Sequence, residues 1–270
     1  MDTNGIPKTL LDTIRYFSDL DVATRFFAAM RWPDGPVCPH CDTVDKNHYY
    51  LKSRRVWKCR ACRKQFSVKV GTIFEDSPIG MDKWLPALWM LVNAKNGISS
   101  YELHRHLGVT QKTAWFMLHR IRLAMQTGTF EKLSGEVEAD ETFVGGLEKH
   151  KHESKKTKKG RGTTGKTPVL GLVGRDGEAR VSVVPDTSKR ALQSEIKKSV
   201  ERNSTIITDA LLSYRGLQGE YTHEIVDHAI EYVRGNIHTN KAENFWSLLK
   251  RGISGVYHSV SEKHLQRYLN

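Results

Sequence analysis

Residues 135–144 read GEVEADETFV, in which Val137 and Ala139 alternate with Glu136, Glu138 and Asp140 at the two-residue period of a β-strand. Working outward from it sets the fold class. Downstream, Val169 to Arg175 and Ala179 to Val184 read as two further strands joined at Asp176-Gly177, a dipeptide suited to a tight hairpin turn. That makes a three-stranded meander. A helix over Lys189 to Glu201 then leads to Thr205-Ile206-Ile207-Thr208-Asp209, a strand of buried character that ends in a carboxylate. A short strand at Glu224-Ile225-Val226 and a last helix from Asn240 to Lys250 complete residues 133–270. Mixed strand and helix order of this kind predicts an α/β domain with a central sheet.

Upstream the periodicity is helical. Leu11, Ile14 and Phe17, then Val22, Phe26, Phe27 and Met30, predict two short helices broken at Ser18-Asp19 within residues 1–31. Residues 80–128 predict three helices, with breaks at Asn96-Gly97 and at Leu107-Gly108-Val109-Thr110. Ser99 or Ser100 starts the second, and Thr110 caps the third. The layout suits a helix-turn-helix, with Gln111, Lys112, Thr113, Arg120 and Arg122 as the side chains that would meet phosphates and base edges. An ordinary three-helix packing unit fits the same residues.

Between these helical parts, at 32–75, stand all four cysteines: Cys38, Cys41, Cys59 and Cys62, two C-x-x-C pairs with seventeen residues between them. Two such knuckles supply four thiolates to one tetrahedral Zn²⁺, and a fully ligated zinc is structural because no coordination position stays open. The metal also supplies folding energy that so short a segment cannot gain by burial. Disulfides or a redox pair fit poorly in a cytosolic chain with no other cysteine and no βαβ context at the motif.

The charge points to a polyanion. The 270 residues carry 42 Lys and Arg against 30 Asp and Glu, a net +12. The excess is concentrated: Arg31 to Lys69 carries +7, mixed with Tyr49, Tyr50, Trp57 and Phe66, and the loop at 147–167 carries +6. Clustered Lys and Arg displace condensed counterions from nucleic-acid phosphates. The loop, rich in Lys, Gly and Thr, is expected to be mobile until it meets a phosphate backbone. The longest apolar run, Trp84 to Val92, is under half of the roughly 20 residues a membrane span needs, and the first ten residues show no secretory pattern. A cytoplasmic, nucleoid-associated protein with no membrane partner is expected.

Three acids stand where chemistry could use them: Asp140 in the first strand, Asp209 at the end of the fourth and Glu243 in the last helix. Carboxylates that converge repel one another and so favour hard divalent cations, Mg²⁺ or Mn²⁺. Two such ions about 3.5 to 4 Å apart would serve a phosphodiester displacement. Glu136, Glu138, Glu141 and Asp186 compete for the same role, each with a solvated strand end as the plainer reading.

The ordered segments CPHC, WKCRACRKQFSVKVGTIFEDS, MDKWLPALWMLV, LGVTQKTAWFMLHRIRLAM, GEVEADETFVGG, IITDALLSY and HTNKAENFWSLLKRGI resemble the zinc-ribbon DDE transposases of prokaryotic insertion sequences, the group related to eukaryotic Merlin elements. The match runs from about Phe17 to Asn270. It implies an RNase H-like catalytic domain over 133–270, a mixed sheet with flanking helices, whose metal-binding triad is Asp140, Asp209 and Glu243. It implies cutting of element ends by activated water and transfer of the freed 3′-hydroxyl to target DNA, carried out by a homo-oligomer on paired ends. It also suggests that Lys250 and Arg251 hold a phosphate beside the metals. Trp246 and Phe245 are expected in the core, and His238 is either near the site or structural. Members of the group usually continue past the equivalent of the last helix, so the resemblance leaves a truncated copy open as an alternative. A DNA-binding regulator and a catalytically inactive, truncated transposase are the rival readings.

Overall fold

The structure, a computed structural model, describes residues 7–126, 132–146, 152–156, 162–226 and 238–269. The chain divides into two compact units, residues 1–124 and 125–270.

The first unit opens with α1 (Leu10–Phe17) and α2 (Leu20–Arg31). Asp19 separates them because its Oδ1 accepts from the backbone N–H groups of Asp21 and Val22, capping α2. A three-stranded antiparallel ribbon follows: β1 (Tyr49–Leu51), β2 (Val56–Lys58) and β3 (Gln65–Phe66). Its register pairs Tyr50 with Trp57 and Trp57 with Phe66, so aromatic rings line one face. The helices α3 (Met81–Asn93), α4 (Ser100–Leu107) and α5 (Gln111–Gln126) complete the unit. Ser99 caps α4 by accepting from Glu102 N–H, Gly108 ends it at a φ of +58°, and Thr110 accepts from Thr113 N–H at the head of α5. Trp32, Trp57 and Phe66 from the ribbon share one core with Trp84, Leu103, Met117 and Ile121 from the helices. Residues 32–75 and 80–124 are thus packed as one body.

The second unit is a five-stranded sheet in the order β6-β5-β4-β7-β8. Its strands are β4 (Glu136–Val144), β5 (Thr167–Gly174), β6 (Ala179–Val183), β7 (Thr205–Thr208) and β8 (Thr222–Ile225). The first three form the expected antiparallel meander, with Gly177 at a φ of +99° in the hairpin. β7 then joins β4 in parallel, and β8 joins β7 in parallel. α6 (Lys189–Ser199) packs Leu192 and Ile196 against Val137, Ala139, Leu170 and Leu172 on one face. α7 (Asn240–Arg251) and α8 (Glu262–Leu269) pack Trp246, Leu265 and Leu269 against Val144, Val169 and Val181 on the other. No described helix is long and apolar enough to cross a membrane.

Three sequence expectations change. The helix expected to reach Glu201 stops at Ser199, because Val200 bridges to Leu133 instead. α8 escaped the sequence reading because EKHLQRYL is mostly polar. Gln266 anchors it to the open edge of β6, where its side-chain oxygen accepts from Val183 N–H and its amide donates to the Val181 carbonyl, both at 2.8 Å. Within the 147–167 loop, Thr167 belongs to β5 and Glu153–Lys155 forms one 3₁₀ turn. Residues 147–151 and 157–161 lie outside the described residues, so the expected mobility of that loop is not addressed.

Candidate active site and metal centre

Strand parity builds the site. Ala139 pairs with Thr208 across β4 and β7, so the next residue along each strand, Asp140 and Asp209, stand side by side on the face covered by α7. Asp209 follows the carboxyl end of β7, the kind of position where α/β sheets open a crevice, and Asp140 lies level with it midway along β4. β7 ends here because Asp209 Oδ1 accepts from Leu211 N–H at 3.0 Å and turns the chain.

The third acid arrives on α7. The N-cap position of that helix, Thr239, makes no side-chain cap, and a buried strand residue takes over. Glu138, 0% exposed, accepts from Lys241 N–H at 2.8 Å and Ala242 N–H at 3.0 Å through Oε2. Its other oxygen lies 3.0 Å from Arg175 Nη1 and 3.4 Å from His238 Nδ1. The Arg175 contact is ionic, since no hydrogen-bond geometry accompanies it. Glu138 therefore ties α7 to the sheet, and Glu243 stands exposed in the first turn of the helix.

Trp246, one turn further, donates its indole N–H to Asp140 Oδ2 at 2.9 Å. Its ring lies over Gly171, the β5 residue paired with Asp140, and a Cβ there would come within 2.6 Å of the indole. Burial raises the Asp140 pKa above the usual carboxylate range, opposed by the Trp246 and Glu141 N–H groups and reinforced by the charges of Asp209 and Glu243. Asp140 thus feels the charges of both other acids. Glu141, on the opposite face, is pushed up to about 7, chiefly by burial and further by Asp209 and Asp140, although Tyr214 donates a 2.6 Å hydrogen bond to it.

The four cysteines form a tighter cluster, with all sulfur atoms within 4.8 Å of one another. Burial raises the Cys38 thiol to about 12, while the Thr43 hydroxyl lowers exposed Cys41 to about 6. Four soft donors at that spacing fit a tetrahedral zinc. Among the described residues no other group of His, Cys, Asp or Glu is gathered as closely. Asp140, Asp209 and Glu243 are therefore more widely spread than the thiols, as expected of like charges. Their donor set is all carboxylate oxygen, the kind that hard cations prefer.

The ISXO2-like transposase domain matches residues 132–270, and the transposase zinc-ribbon domain matches residues 19–65. The chain belongs to the ISXO2-like transposase family. A Halobacterium salinarum protein in transposable element ISH50 is 30% identical over 264 residues, covering 92% of this chain and 87% of that protein. A transposase-like protein of Haemophilus influenzae is 27% identical over 88 residues, 32% of this chain and 71% of its own. A chain of the simian T-cell lymphotropic virus intasome in complex with PP2A regulatory subunit B56 gamma aligns at 14% identity over 68% of this chain and 64% of that one. Its TM-score of 0.30 supports no statement about fold.

In this transposase-family chain the zinc-ribbon match takes in all four cysteines, and the transposase-domain match takes in Asp140, Asp209 and Glu243. The residues singled out on α5 divide. Lys112 is exposed, Thr113 is half-buried, and Gln111 donates to the Ser100 hydroxyl. Arg120 instead donates to the carbonyls of Ile73 and Glu75 and stacks over Phe116, and Arg122 is only 4% exposed. Those two arginines serve the packing of the first unit. On α7, Lys250 is exposed, while Arg251 turns back to the Ser247 carbonyl at 3.2 Å. His238 sits against Arg175 and Glu138, supporting the head of α7. Sequence reasoning overlooked Glu138 as a cap, the Glu141–Tyr214 pair and the Trp246 bond to Asp140. The EVEADE alternation carries the signal for the first, since it puts Glu138 on the same face as Asp140.

Proposed function

We propose that the chain is a DNA transposase that binds the ends of an insertion sequence, cuts DNA and joins 3′-hydroxyl ends to target DNA, working as a homo-oligomer in the cytoplasm at the nucleoid. The single observation that carries this reading is the placement of Asp140 beside Asp209 with Glu243 on the helix above them. The sheet order, an antiparallel meander continued by two parallel strands, supports an RNase H-like domain. The α4–Gly108–α5 geometry supports a helix-turn-helix that uses Gln111, Lys112 and Thr113.

Asp140, Asp209 and Glu243 would hold Mg²⁺ or Mn²⁺, and the bound ions would supply an activated attacking oxygen and charge stabilisation at the leaving oxygen. The protein's own part is positioning. Trp246 N–H holds Oδ2 of Asp140 and Glu141 N–H holds Oδ1, Leu211 N–H fixes Asp209, and Glu138 sets the head of the helix that carries Glu243. Lys250 is placed to meet a phosphate near the acids.

The test is cutting and joining of the DNA that flanks the gene in its source replicon, in Mg²⁺, with Asp209→Ala as control. Cut and joined products from the wild type and none from the variant are expected. DNA binding with neither reaction in Mg²⁺ or Mn²⁺ would favour a regulator or an inactive copy.

A further inference from the structure

Beyond the acids, at the far end of β4, lies a cavity of about 530 Å³ within the second unit. Three basic side chains line it, Lys166, Lys250 and His258, from three separate segments. Val144, Ile253 and Val260 supply an apolar wall. One basic group on a surface means little, but three facing one apolar hollow suit a ligand with an anionic part and a flat apolar part.

The backbone around the cavity is unusual. Gly145 and Gly146 follow β4 directly, and Gly145 has a φ of +147° with Lys166 so close that a Cβ would come within 3.3 Å of it. Among the described residues nothing lies within 4 Å of where a Cβ on Gly146 would stand. On the other side α7 runs into a π-helical turn, Gly252–Tyr257, and His258 follows at a φ of +58°. π-turns widen a helix and recur at functional sites. Here the turn carries Ile253 into the cavity wall.

The cavity is linked rigidly to the acids through two elements. Val144 lies four residues along β4 from Asp140, roughly 13 Å, and on the same face of the sheet. Lys250 lies seven residues along α7 from Glu243, roughly 10 Å. Both spans equal about three or four nucleotides of a stacked strand at roughly 3.4 Å each. A strand lying over the acids would therefore pass the cavity.

We propose that this cavity takes one unstacked nucleotide of the DNA strand engaged at the carboxylates, with its base against Val144, Ile253 and Val260 and its phosphate between Lys166 and Lys250. The proposal rests on the DNA reading above and adds a subsite to it. Apolar contact with the base and charge pairing with the lysines make the binding tolerant of sequence.

The test uses the full zinc-loaded chain and a single-stranded oligothymidylate carrying 5-iodouracil, crosslinked by ultraviolet light and mapped by mass spectrometry. Crosslinks at His258 or the peptides around Val144 and Val260 are expected, alongside others within residues 7–124. Lys166→Glu and Ser254→Trp, at a half-buried and an exposed position of the cavity lining, should each lower the cavity crosslink about tenfold and leave those within 7–124 unchanged. Crosslinks confined to 7–124, or undiminished cavity crosslinks in both variants, would overturn the subsite while the DNA reading stands. No crosslink anywhere would overturn both.

Discussion

Trp246 donates its indole hydrogen to Asp140 while its ring covers Gly171, the residue opposite Asp140 across β4 and β5. A core residue and a site residue are thus one side chain. The absence of a side chain at position 171 is what lets the ring come down to the carboxylate.

Gly171→Ala should accordingly act through Trp246. Its Cβ would meet the indole at 2.6 Å, and neither the strand backbone nor a ring wedged among Leu265, Leu269 and Val181 can yield freely. Overpacking of this kind costs about 1–3 kcal/mol. Urea denaturation should show that loss, and DNA cutting should fall further than stability does, because α7 carries Glu243. A variant as stable and as active as the wild type would show that the ring has room to move.

Glu138→Ala should destabilise the second unit more than a typical surface change. It removes the cap of α7, about 0.5–2 kcal/mol, and leaves Arg175 without its buried carboxylate partner, about 3–5 kcal/mol for breaking such a pair. The two costs overlap because one side chain makes both contacts, so a total near 4 kcal/mol is expected from denaturant unfolding. Glu138→Gln keeps an oxygen for Lys241 and Ala242 and should recover the cap alone.

Glu141 gives the fold a pH dependence. Its folded pKa of about 7 lies above the ordinary 4.5, so the proton is bound more tightly in the folded state. That contribution to stability is complete below pH 4.5 and is lost as pH rises through 7. Allowing for screening by solvent at this partly exposed group, about 1–2 kcal/mol should disappear across the window. In buffer without Mg²⁺, the stability of Glu141→Gln should not follow the wild type downward between pH 4.5 and 7. Parallel curves for the two proteins would contradict the assignment.

Cys59→Ser should abolish stoichiometric zinc binding, because Cys59 is fully buried among the other three sulfurs. The ribbon shares its core with α3 and α5, so loss of the metal should loosen the helices as well. Metal analysis should give about one Zn²⁺ per wild-type chain, and circular dichroism should show helix loss in the variant. Retained helix signal in a zinc-free variant would separate ribbon from helices energetically.

Arg120→Ala and Lys112→Ala should part company. Arg120 satisfies the carbonyls of Ile73 and Glu75, and removing it should cost about 1–3 kcal/mol in unfolding free energy. Lys112 is exposed and should leave stability within about 0.5 kcal/mol while weakening DNA binding and flattening its dependence on salt. Equal effects of the two substitutions on stability would undo this division.

Much of this architecture is local enough to be written in the chain. Two C-x-x-C pairs specify a zinc knuckle because a tight turn places both thiols wherever it occurs. Asp176-Gly177 specifies a hairpin, Ser99, Gly108 and Thr110 bound their helices, and the alternation of GEVEADETFV assigns Glu138 and Asp140 to one face. Tertiary structure decided what depends on partners distant in sequence. Whether Asp140 meets Asp209 turns on β7 joining β4 in parallel, sixty-nine residues away in the chain. Arg120 has the composition of a DNA contact and became a packing residue because carbonyls forty-five and forty-seven positions earlier lay within its reach. Glu138, Gly171 and Trp246 acquire their roles only when α7 lies on the sheet, because desolvation and contact are properties of the packed interface and of no single segment.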